Sequence, residues 1–498
     1  MKIKSTSLII LLFSVIFCHG QQKELTLASN SIQISELKDK LYKFSSDKFE
    51  GRGTPSKGQQ LAVEYLADHY KKLEIESIKN ETYFQAVPLQ FEDKPEISVI
   101  ISEKKFDYYI DYVSYSNGND GNYKSKDMIY MGYGIDDPKY SDYKNTDIHG
   151  KVVVISAGEP LNEENEYFIN GNEKSKWSNR RMEIDLKKNI AKNKGALALI
   201  IVDEYLFRDN MYDLRYSDLG LGEKRMALGN NEENNFQVLL FSKRHEDFLF
   251  KKNLKFSMNF KKNVQKFTAD NVAAYIKGSK FPNEYIILTA HLDHVGIQNG
   301  EIYNGADDDG SGTVAMLEIA EAFALAKKQG YGPKRSIVFL HVTAEERGLL
   351  GSQYYADYEP LVPLKQTVAN LNMDMMGRAD PKRGIKNLNY VYIIGSDILS
   401  EDLHDININA NNYTNLELDF RFNDINDPNQ FYYRSDHYHF VKNNIPAIFY
   451  FSGVHEDYHQ PTDTAEKILY DVYSKRVKLI FHTAWGLANR EERIKLNN

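Results

Sequence analysis

The sequence predicts an α/β fold in which a mostly parallel sheet is covered by helices on both faces. After Asn271, short runs rich in Val, Ile, Leu and Phe alternate with segments of helical periodicity. Uninterrupted apolar runs indicate strands buried on both faces, which is typical of parallel sheets. Several of these runs end directly before His, Asp or Glu residues. Ligands in such folds bind beyond the carboxyl ends of the strands, so a functional site is expected there.

Two helices and a separate domain precede this region. Apolar residues between Ser31 and Ile75 recur at the helical period in two groups, separated by the segment SSDKFEGRGTPSKG, which we interpret as a surface connection. From 96 to 265 the pattern changes to short strands separated by long polar loops. We therefore predict an inserted β-rich domain at 96–265, with 21–95 and 266–498 forming one α/β domain.

The α/β region contains predicted strands and helices in alternation. The strands are NVAAYIKG, YIILTA, SIVFLHV, VANLNM, LNYVYIIG and PAIFYF. Helices are predicted from Ser311 to Lys327, from Gly351 to about Tyr358, and from Tyr470 to Asn489. This order favours a mixed sheet in which parallel strands predominate.

Residues 1–20 are typical of a secretory signal peptide, because two lysines precede an apolar stretch from Leu8 to Cys18. The stretch is too short for a comfortable membrane span, and the bulky Phe17 disfavours lipid attachment at Cys18. Cys18 is the only cysteine, so the mature chain would contain no thiol. We predict a secreted or periplasmic protein whose metal sites, if any, use nitrogen and oxygen ligands.

Composition excludes several classes of function. The chain has 42% hydrophobic and 27% charged residues, as expected for a globular protein. The formal net charge of −8 and the pI near 6.0 give no electrostatic basis for nucleic-acid binding. No stretch after the signal peptide is apolar enough to cross a bilayer, and no feature specifies an oligomeric state.

His291 and Asp293 form the first candidate pair for metal binding. An apolar run leads directly into His291, and Asp293 follows two residues later. In extended geometry both side chains would point to the same side. The Asp293 carboxylate could then accept a hydrogen bond from the second imidazole nitrogen of His291 and fix the tautomer that binds a metal. In isolation, the pair would be interpreted as a structural hydrogen bond.

Other acidic residues and one histidine occur in similar settings. Asp307 opens a triplet of aspartates before a helix, where a cap is the simpler interpretation, although a cap does not require three mutually repelling carboxylates. Glu345 and Glu346 follow a strand, and each alone could be a solvated loop charge. Asp374 lies in an apolar segment, where an unpaired acid is costly. His459 follows the last strand and alone would be a surface residue.

Together these residues supply two histidines, two aspartates and one glutamate as ligands, with one further glutamate. Such a set suits two zinc ions that share a bridging carboxylate, with the further glutamate acting as general base. The pattern predicts metal-assisted hydrolysis.

The ordered segments HLDHVG, NGADDDGSG, TAEERGLLGS, LNMDMMG, RSDHYHF and DYHQPTDT resemble those of the M28 family of co-catalytic zinc peptidases. The resemblance spans 31–75 and most of 271–498. Within 96–265, the run GKVVVI, a helical patch and GALALII are similar to a protease-associated domain. We interpret that domain as a module that shapes substrate access, or alternatively as a structural insertion without contact to substrate.

The resemblance assigns a role to each candidate. It implies two Zn²⁺ ions held by five protein ligands: His291, Asp307, Glu346, Asp374 and His459. Asp307 would bridge the ions, with His291 and Asp374 on one and the remaining pair on the other. Glu345 would be the general base that activates the attacking water, and Asp293 would orient His291. Tyr458 would donate to the tetrahedral oxyanion. The family also suggests a cis peptide bond between Asp307 and Asp308.

The leading functional prediction is a secreted aminopeptidase that acts on peptides. A glutamate-releasing carboxypeptidase would need a cluster of cations to bind the substrate carboxylate, for which Arg378 and Arg434 are candidates. A glutaminyl-cyclase-like transferase would use fewer metal sites. A non-catalytic ectodomain would bind no zinc, and a protein with purely structural ions would show no peptidase activity reversible by a chelator.

Overall fold

The computed structural model describes residues 25–79, 82–116, 118–180, 182–220, 224–229, 236–384, 387–425 and 427–497. The predicted signal peptide, including Cys18, lies outside these ranges. Among the helices in the described ranges, none combines the length and the hydropathy that a membrane crossing requires. The chain divides into two compact units, of which the second comprises Leu89–Phe267 and the first comprises the residues before and after it.

The first unit is built on a mixed sheet. In spatial order its strands are Glu417–Asp419, Tyr390–Ile394, Ala447–Phe451, Thr367–Met373, Phe281–His291, Arg335–Val342 and the last part of Phe256–Ile276, which also pairs with Glu76–Ser77. The four strands from Ala447–Phe451 to Arg335–Val342 are parallel to one another. Tyr390–Ile394 and Phe256–Ile276 run antiparallel to their neighbours in this group. The four parallel strands therefore end at a common edge.

Helices cover both faces of this sheet. They are Ile34–Phe44, Lys57–Lys72, Gly312–Lys328, Leu350–Gln353, Glu401–Ala410, His437–Lys442 and Tyr470–Asn489. Single helical turns and one small hairpin connect them: Asp47–Arg52, Gly296–Gln298, Glu301–Tyr303, Ala306–Ser311, Tyr354–Tyr358, Leu364–Gln366, Pro381–Arg383, Asn411–Tyr413, Phe431–Tyr433 and Ala465–Lys467.

Alternate side chains of the central strand pack into separate cores. Leu288 packs with the helices Gly312–Lys328 and Tyr470–Asn489 on one face. Ile287 packs with Tyr355 and Phe440 on the other. Because both faces are apolar and covered, the strand appears in the sequence as one continuous hydrophobic run. The predicted α/β fold is confirmed.

The second unit contains its own five-stranded sheet. The order is Tyr112–Ser116, Gln237–Phe241, Ala198–Val202, Val152–Ser156 and Met128–Tyr130, with only the first strand antiparallel to its neighbour. Further strands are Phe84–Ile101, Lys104–Phe106, Gly121–Ser125, Arg225–Leu228 and the start of Phe256–Ile276. The helices are Lys176–Ser178, Glu183–Asn193, Glu204–Asp218, Lys243–His245 and Glu246–Leu249.

The helix Glu204–Asp218 was not among the predicted elements. Leu206 and Phe207 are buried, and Met211 and Leu214 pack against the same core, so the helix has an apolar face at the helical period that was not used in the prediction.

Candidate metal centre

The carboxyl ends of the four parallel strands bring the predicted site residues together. The strand ending at His291 lies between the strands that end at Val342 and Met373, and the strand ending at Phe451 is next to the latter. Residues that immediately follow these ends therefore share one edge of the sheet. His291, Glu345, Glu346, Asp374 and His459, which lie far apart in sequence, converge there into overlapping groups with metal-ligand spacing.

His291, Asp308 and Asp374 form the first group. The Nε2 atom of His291 lies 3.2 Å from Asp308 Oδ1 and 3.8 Å from Asp374 Oδ1. All three residues are buried. The other oxygen of Asp374 accepts a hydrogen bond of 2.7 Å from Ser435 Oγ, which fixes the orientation of that carboxylate.

His459, Glu346 and Asp308 form the second group. The Nε2 atom of His459 lies 3.1 Å from Asp308 Oδ2 and 3.0 Å from Glu346 Oε2. The two oxygens of Asp308 thus face different histidines, and this carboxylate is shared by both groups. A carboxylate that bridges two ions would have this arrangement.

The structure places Asp308, not Asp307, between the histidines. Asp307 is buried and turned away: its Oδ1 accepts from Ser311 Oγ at 2.9 Å and from the Gly377 amide at 2.5 Å, and its Oδ2 lies 3.2 Å from His455 Nε2. The expected bridging position is therefore displaced by one residue. The cis peptide bond is displaced in the same way, since it joins Asp308 to Asp309 rather than Asp307 to Asp308.

Two further aspartates hold the backbone of this segment. Asp309 accepts hydrogen bonds from the amides of His291 (3.0 Å) and Gly312 (2.9 Å). Asp463 accepts from the amides of Asp307 (2.9 Å) and Asp308 (3.1 Å). The three aspartates of the triplet have different roles, because only Asp308 presents its carboxylate to both His291 and His459.

Asp293 differs in detail from its prediction. The Nδ1 atom of His291 lies 3.0 Å from the backbone carbonyl of Asp293, not from its carboxylate. The carbonyl therefore accepts the Nδ1 proton and leaves Nε2 free for a metal. The carboxylate accepts instead from the Glu345 amide at 3.1 Å and so positions the residue that was predicted to be the base.

Glu345 and Tyr458 lie beside the two groups. Glu345 Oε2 is 3.9 Å from His291 Nε2. Burial raises the pKa of Glu345 well above its usual value, and the Glu346 and Asp374 carboxylates add to this effect while His291 opposes it. The Tyr458 ring stacks on His459 with centroids 4.0 Å apart. Burial and the neighbouring carboxylates also raise the pKa of Tyr458, so its hydroxyl stays protonated.

An apolar pocket opens next to these residues. Asp308, Glu345, Glu346, Asp374 and Tyr458 form its polar wall, and the rest is lined by Met375, Phe431, Arg434, Phe449, Phe451 and Val454. A ligand whose apolar side chain fills this pocket would present its polar end to the carboxylates and histidines.

The chemistry of the donor set fits divalent cations. Asp308 Oδ2 and His459 Nε2 face each other within 3.1 Å, yet neither makes a hydrogen bond to any residue in the described ranges. Buried polar atoms are normally satisfied, and a cation between a carboxylate oxygen and an imidazole lone pair would satisfy both. The carboxylates and imidazoles are ligands that Zn²⁺ prefers, and the described residues contain no cysteine.

Several residues of the site were missed in the sequence. The sequence gives Asp308 no role beyond the triplet that Asp307 opens and the expected cis peptide bond, and it presents Asp463 only within the segment DYHQPTDT. His294, the second histidine of the HLDH segment, is buried beside Glu346 at 2.8 Å. Its position three residues after His291 was the available signal.

Part of the chain is similar to known peptidases. Residues 271–484 match the model of peptidase family M28. A probable leucine aminopeptidase 2 of Aspergillus oryzae is 34% identical over 197 residues, which is 37% of this chain and 34% of that protein. A probable glutamate carboxypeptidase of Arabidopsis thaliana is 36% identical over 118 residues, covering 24% of this chain and 16% of that protein.

The chain thus spans about a third or less of the length of these curated relatives. Among solved structures, an aminopeptidase from Aneurinibacillus sp. strain AM-1 is 20% identical, with a TM-score of 0.48. That alignment covers 94% of this chain and 97% of the other.

Proposed function

From the match of residues 271–484 to peptidase family M28, we propose that the protein is a di-zinc aminopeptidase that removes N-terminal residues from peptides. The observation that carries the proposal is the Asp308 carboxylate, whose two oxygens face two separate histidine groups. An apolar pocket beside them supports an exopeptidase that binds one substrate side chain.

The residues present suit two ions. His291 and Asp374 would hold one, His459 and Glu346 would hold the other, and Asp308 would bridge them. When bound, the ions would polarise the scissile carbonyl and lower the pKa of the attacking water. This assignment keeps four of the five predicted ligands and replaces Asp307 with Asp308.

Glu345 is the proposed general base. It lies beside both groups but is not needed to complete either, and its backbone is held by the Asp293 carboxylate. Its carboxylate would take a proton from the attacking water and deliver it to the leaving amine. Burial raises the pKa of this carboxyl above its usual value, which makes it a better proton acceptor than an exposed glutamate.

Tyr458 is the proposed oxyanion donor. Its hydroxyl remains protonated because burial and the adjacent carboxylates raise its pKa. A neutral phenol at the rim of the pocket can donate a hydrogen bond to the oxygen on which negative charge develops.

The pocket favours an aminopeptidase over a carboxypeptidase. Met375, Phe449 and Phe451 line it with apolar surface that suits an apolar first side chain. A carboxylate-binding site would need several free cations. Arg378, one of the two candidates, donates to Asp457 at 2.9 Å and is buried, which leaves Arg434 as the single arginine lining the pocket within the described residues.

The location and the second unit complete the proposal. The lysine-flanked apolar N-terminus supports export, so we place the enzyme in the periplasm or outside the cell. The unit Leu89–Phe267 is proposed to be a protease-associated module that influences substrate access.

A substrate panel with and without chelator tests the proposal. Leucyl and phenylalanyl amides should be cleaved, whereas the same compounds with an acylated amine should not. A strong chelator should abolish cleavage, and added Zn²⁺ should restore it. Cleavage of N-blocked dipeptides at the C-terminal bond would identify a carboxypeptidase instead. Purified protein without bound zinc and without turnover would favour a binding ectodomain.

A further inference from the structure

His294 occupies a position in the second ligand group that none of the predicted roles explains. It is buried, and its Nδ1 atom lies 2.8 Å from Glu346 Oε1. The other oxygen of the same carboxylate, Oε2, lies 3.0 Å from His459 Nε2. The two oxygens of Glu346 are therefore divided between two histidines with different surroundings.

The opposite edge of the His294 ring indicates its tautomer. Nε2 is buried and has no hydrogen-bond partner in the described part of the chain. A buried N–H without an acceptor is more costly than a lone pair without a donor, so the single proton of the neutral ring belongs on Nδ1. In this form Nδ1–H donates to Glu346 Oε1 and has no lone pair for a metal ion.

The backbone around His294 holds the ring in place. The amide of His294 donates to the carbonyl of Arg52, and residues Gly53 and His294 form a parallel β-bridge. The buried Arg52 guanidinium donates to the carbonyls of Leu292 (3.0 Å) and Gly305 (2.8 Å). The loop that carries His294 is thus fixed through the glycine-containing segment GRG, which we had interpreted only as a surface connection.

Gly305 completes this enclosure. Its backbone has a positive φ of 54°, and a β-carbon there would lie 2.5 Å from the His294 ring and 2.3 Å from the Asp308 carbonyl. Any side chain at this position would displace the ring or the bridging aspartate. The absence of a side chain at Gly305 therefore leaves room for the His294 ring, whose Nδ1 faces Glu346.

We propose that His294 is a positioning residue of the second group. It holds Oε1 of Glu346, so that Oε2 alone faces His459 and Asp308. The inference rests on the proposed di-zinc function. A carboxylate that is held in this way presents one oxygen in a fixed direction, and loss of such a partner typically weakens metal binding by about 10- to 100-fold. His294 Nδ1 also lies 3.7 Å from Oδ2 of Asp308, which both groups share, but this is beyond hydrogen-bond distance. The ion held by His291 and Asp374 should therefore be little affected.

Three variants test the role of His294. His294→Ala removes the hydrogen bond, whereas His294→Asn can place an amide N–H near the position of Nδ1. His482→Ala is the matched control. His482 is also a buried histidine with a side-chain hydrogen bond, to Ser29 Oγ at 2.9 Å, but it lies on the helix Tyr470–Asn489 and in none of the ligand groups. Zinc binding is titrated on the metal-depleted full chain against a chromophoric chelator, and thermal unfolding of each depleted variant checks that it is folded.

The expected result separates the two ions. His294→Ala should bind the first ion with unchanged affinity and the second about 10- to 100-fold more weakly. His294→Asn should recover most of that loss, and His482→Ala should bind both ions as the parent chain does. In cobalt-substituted protein, the parent and the asparagine variant should share one visible spectrum, because His294 is not itself a ligand.

Other results would overturn the inference. Unchanged binding of both ions by a folded His294→Ala variant would show that Glu346 needs no positioning partner. Equal weakening of both ions, or an asparagine variant that binds as poorly as the alanine variant, would also contradict the assigned role. If the parent chain itself binds no zinc and shows no turnover, the proposed function fails; if it binds two ions and cleaves substrate, only the role of His294 is in question.

Discussion

Acidic residues directly follow parallel strands in both units of the molecule, but the two sets of carboxylates have different partners. In the second unit, Asp203 and Glu204 follow the strand Ala198–Val202. Asp203 caps a helix by accepting from the Leu206 amide at 2.8 Å. Glu204 pairs with Arg208 at 2.5 Å. Each carboxylate is therefore satisfied by a neighbouring donor.

In the first unit, the acids after the strands face one another and two histidines. Asp308 Oδ2 has no hydrogen-bond donor in the described ranges, and Glu346 makes its close contacts with histidines. The position of an acid after a strand is thus the same in both units, whereas the supply of local donors differs. The sheet edge that carries the candidate metal site therefore differs from the edge in the second unit, because its Asp308 and Glu346 carboxylates face histidines instead of the backbone and arginine donors that satisfy Asp203 and Glu204.

The largest expected effect comes from the bridging carboxylate. Asp308→Asn should abolish turnover and lower the zinc content from two ions per chain to one or none, because the residue serves both groups. Asp307→Asn is the matched control in the same triplet. It should retain two ions, because Asp307 bonds to Ser311, Gly377 and His455 instead. If metal analysis finds that Asp307→Asn has lost zinc and Asp308→Asn has kept two ions, Asp307 is the bridging ligand, as the family resemblance implied.

The second effect separates catalysis from metal binding. Glu345→Gln should keep both ions and lose about 10²- to 10⁴-fold in kcat, the range typical of a missing general base. Glu456→Gln is the control, since Glu456 is exposed, lies two residues before Tyr458 and pairs with Arg378 at 3.5 Å. Steady-state kinetics on a leucyl amide, together with zinc analysis, would measure both. A glutamine variant with nearly full turnover would exclude Glu345 as the base.

Much of the fold could be predicted from the sequence, because the strands of the first unit are uninterrupted apolar runs. The helix from Tyr470 to Asn489 matches its predicted limits, and Ser311–Lys327 differs from the observed Gly312–Lys328 by one residue at each end. Residues immediately after those runs were likewise identifiable as a converging group. The helix Glu204–Asp218 was not predicted, although Leu206, Phe207, Met211 and Leu214 form an apolar face at the helical period.

The roles within the site were harder to predict, because they depend on contacts between distant residues. Nothing in the sequence of three consecutive aspartates tells which one faces the histidines. Asp463 contributes to that choice, since it accepts hydrogen bonds from the amides of Asp307, 156 residues away, and Asp308, 155 residues away. Similarly, the HxD spacing suggested a carboxylate partner for His291, but the backbone carbonyl of Asp293 has the better position. The spacing of residues in the sequence identifies which residues form the site, whereas the local backbone conformation determines the role of each.

A smaller effect is expected at Tyr458. Tyr458→Phe keeps the ring that stacks on His459 but removes the hydroxyl, so metal content and KM should change little. The loss in kcat should reach at most about 10²-fold, the lower end of the cost of removing one oxyanion donor. Kinetic comparison with the parent enzyme measures this. An unchanged kcat would show that the oxyanion is stabilised without the phenol.

The smallest effect should come from the acid that follows the strand in the second unit. Asp203→Ala removes a helix cap and should lower the free energy of unfolding by about 1 kcal/mol. Because Asp203 already has a backbone donor at 2.8 Å, its loss should alter neither zinc content nor kcat. Urea unfolding, zinc analysis and kinetics on the same preparation would measure all three quantities. A variant that unfolds as the parent does but loses zinc would mean that strand-end acids in both units serve metals, and the distinction based on local donors would then be wrong.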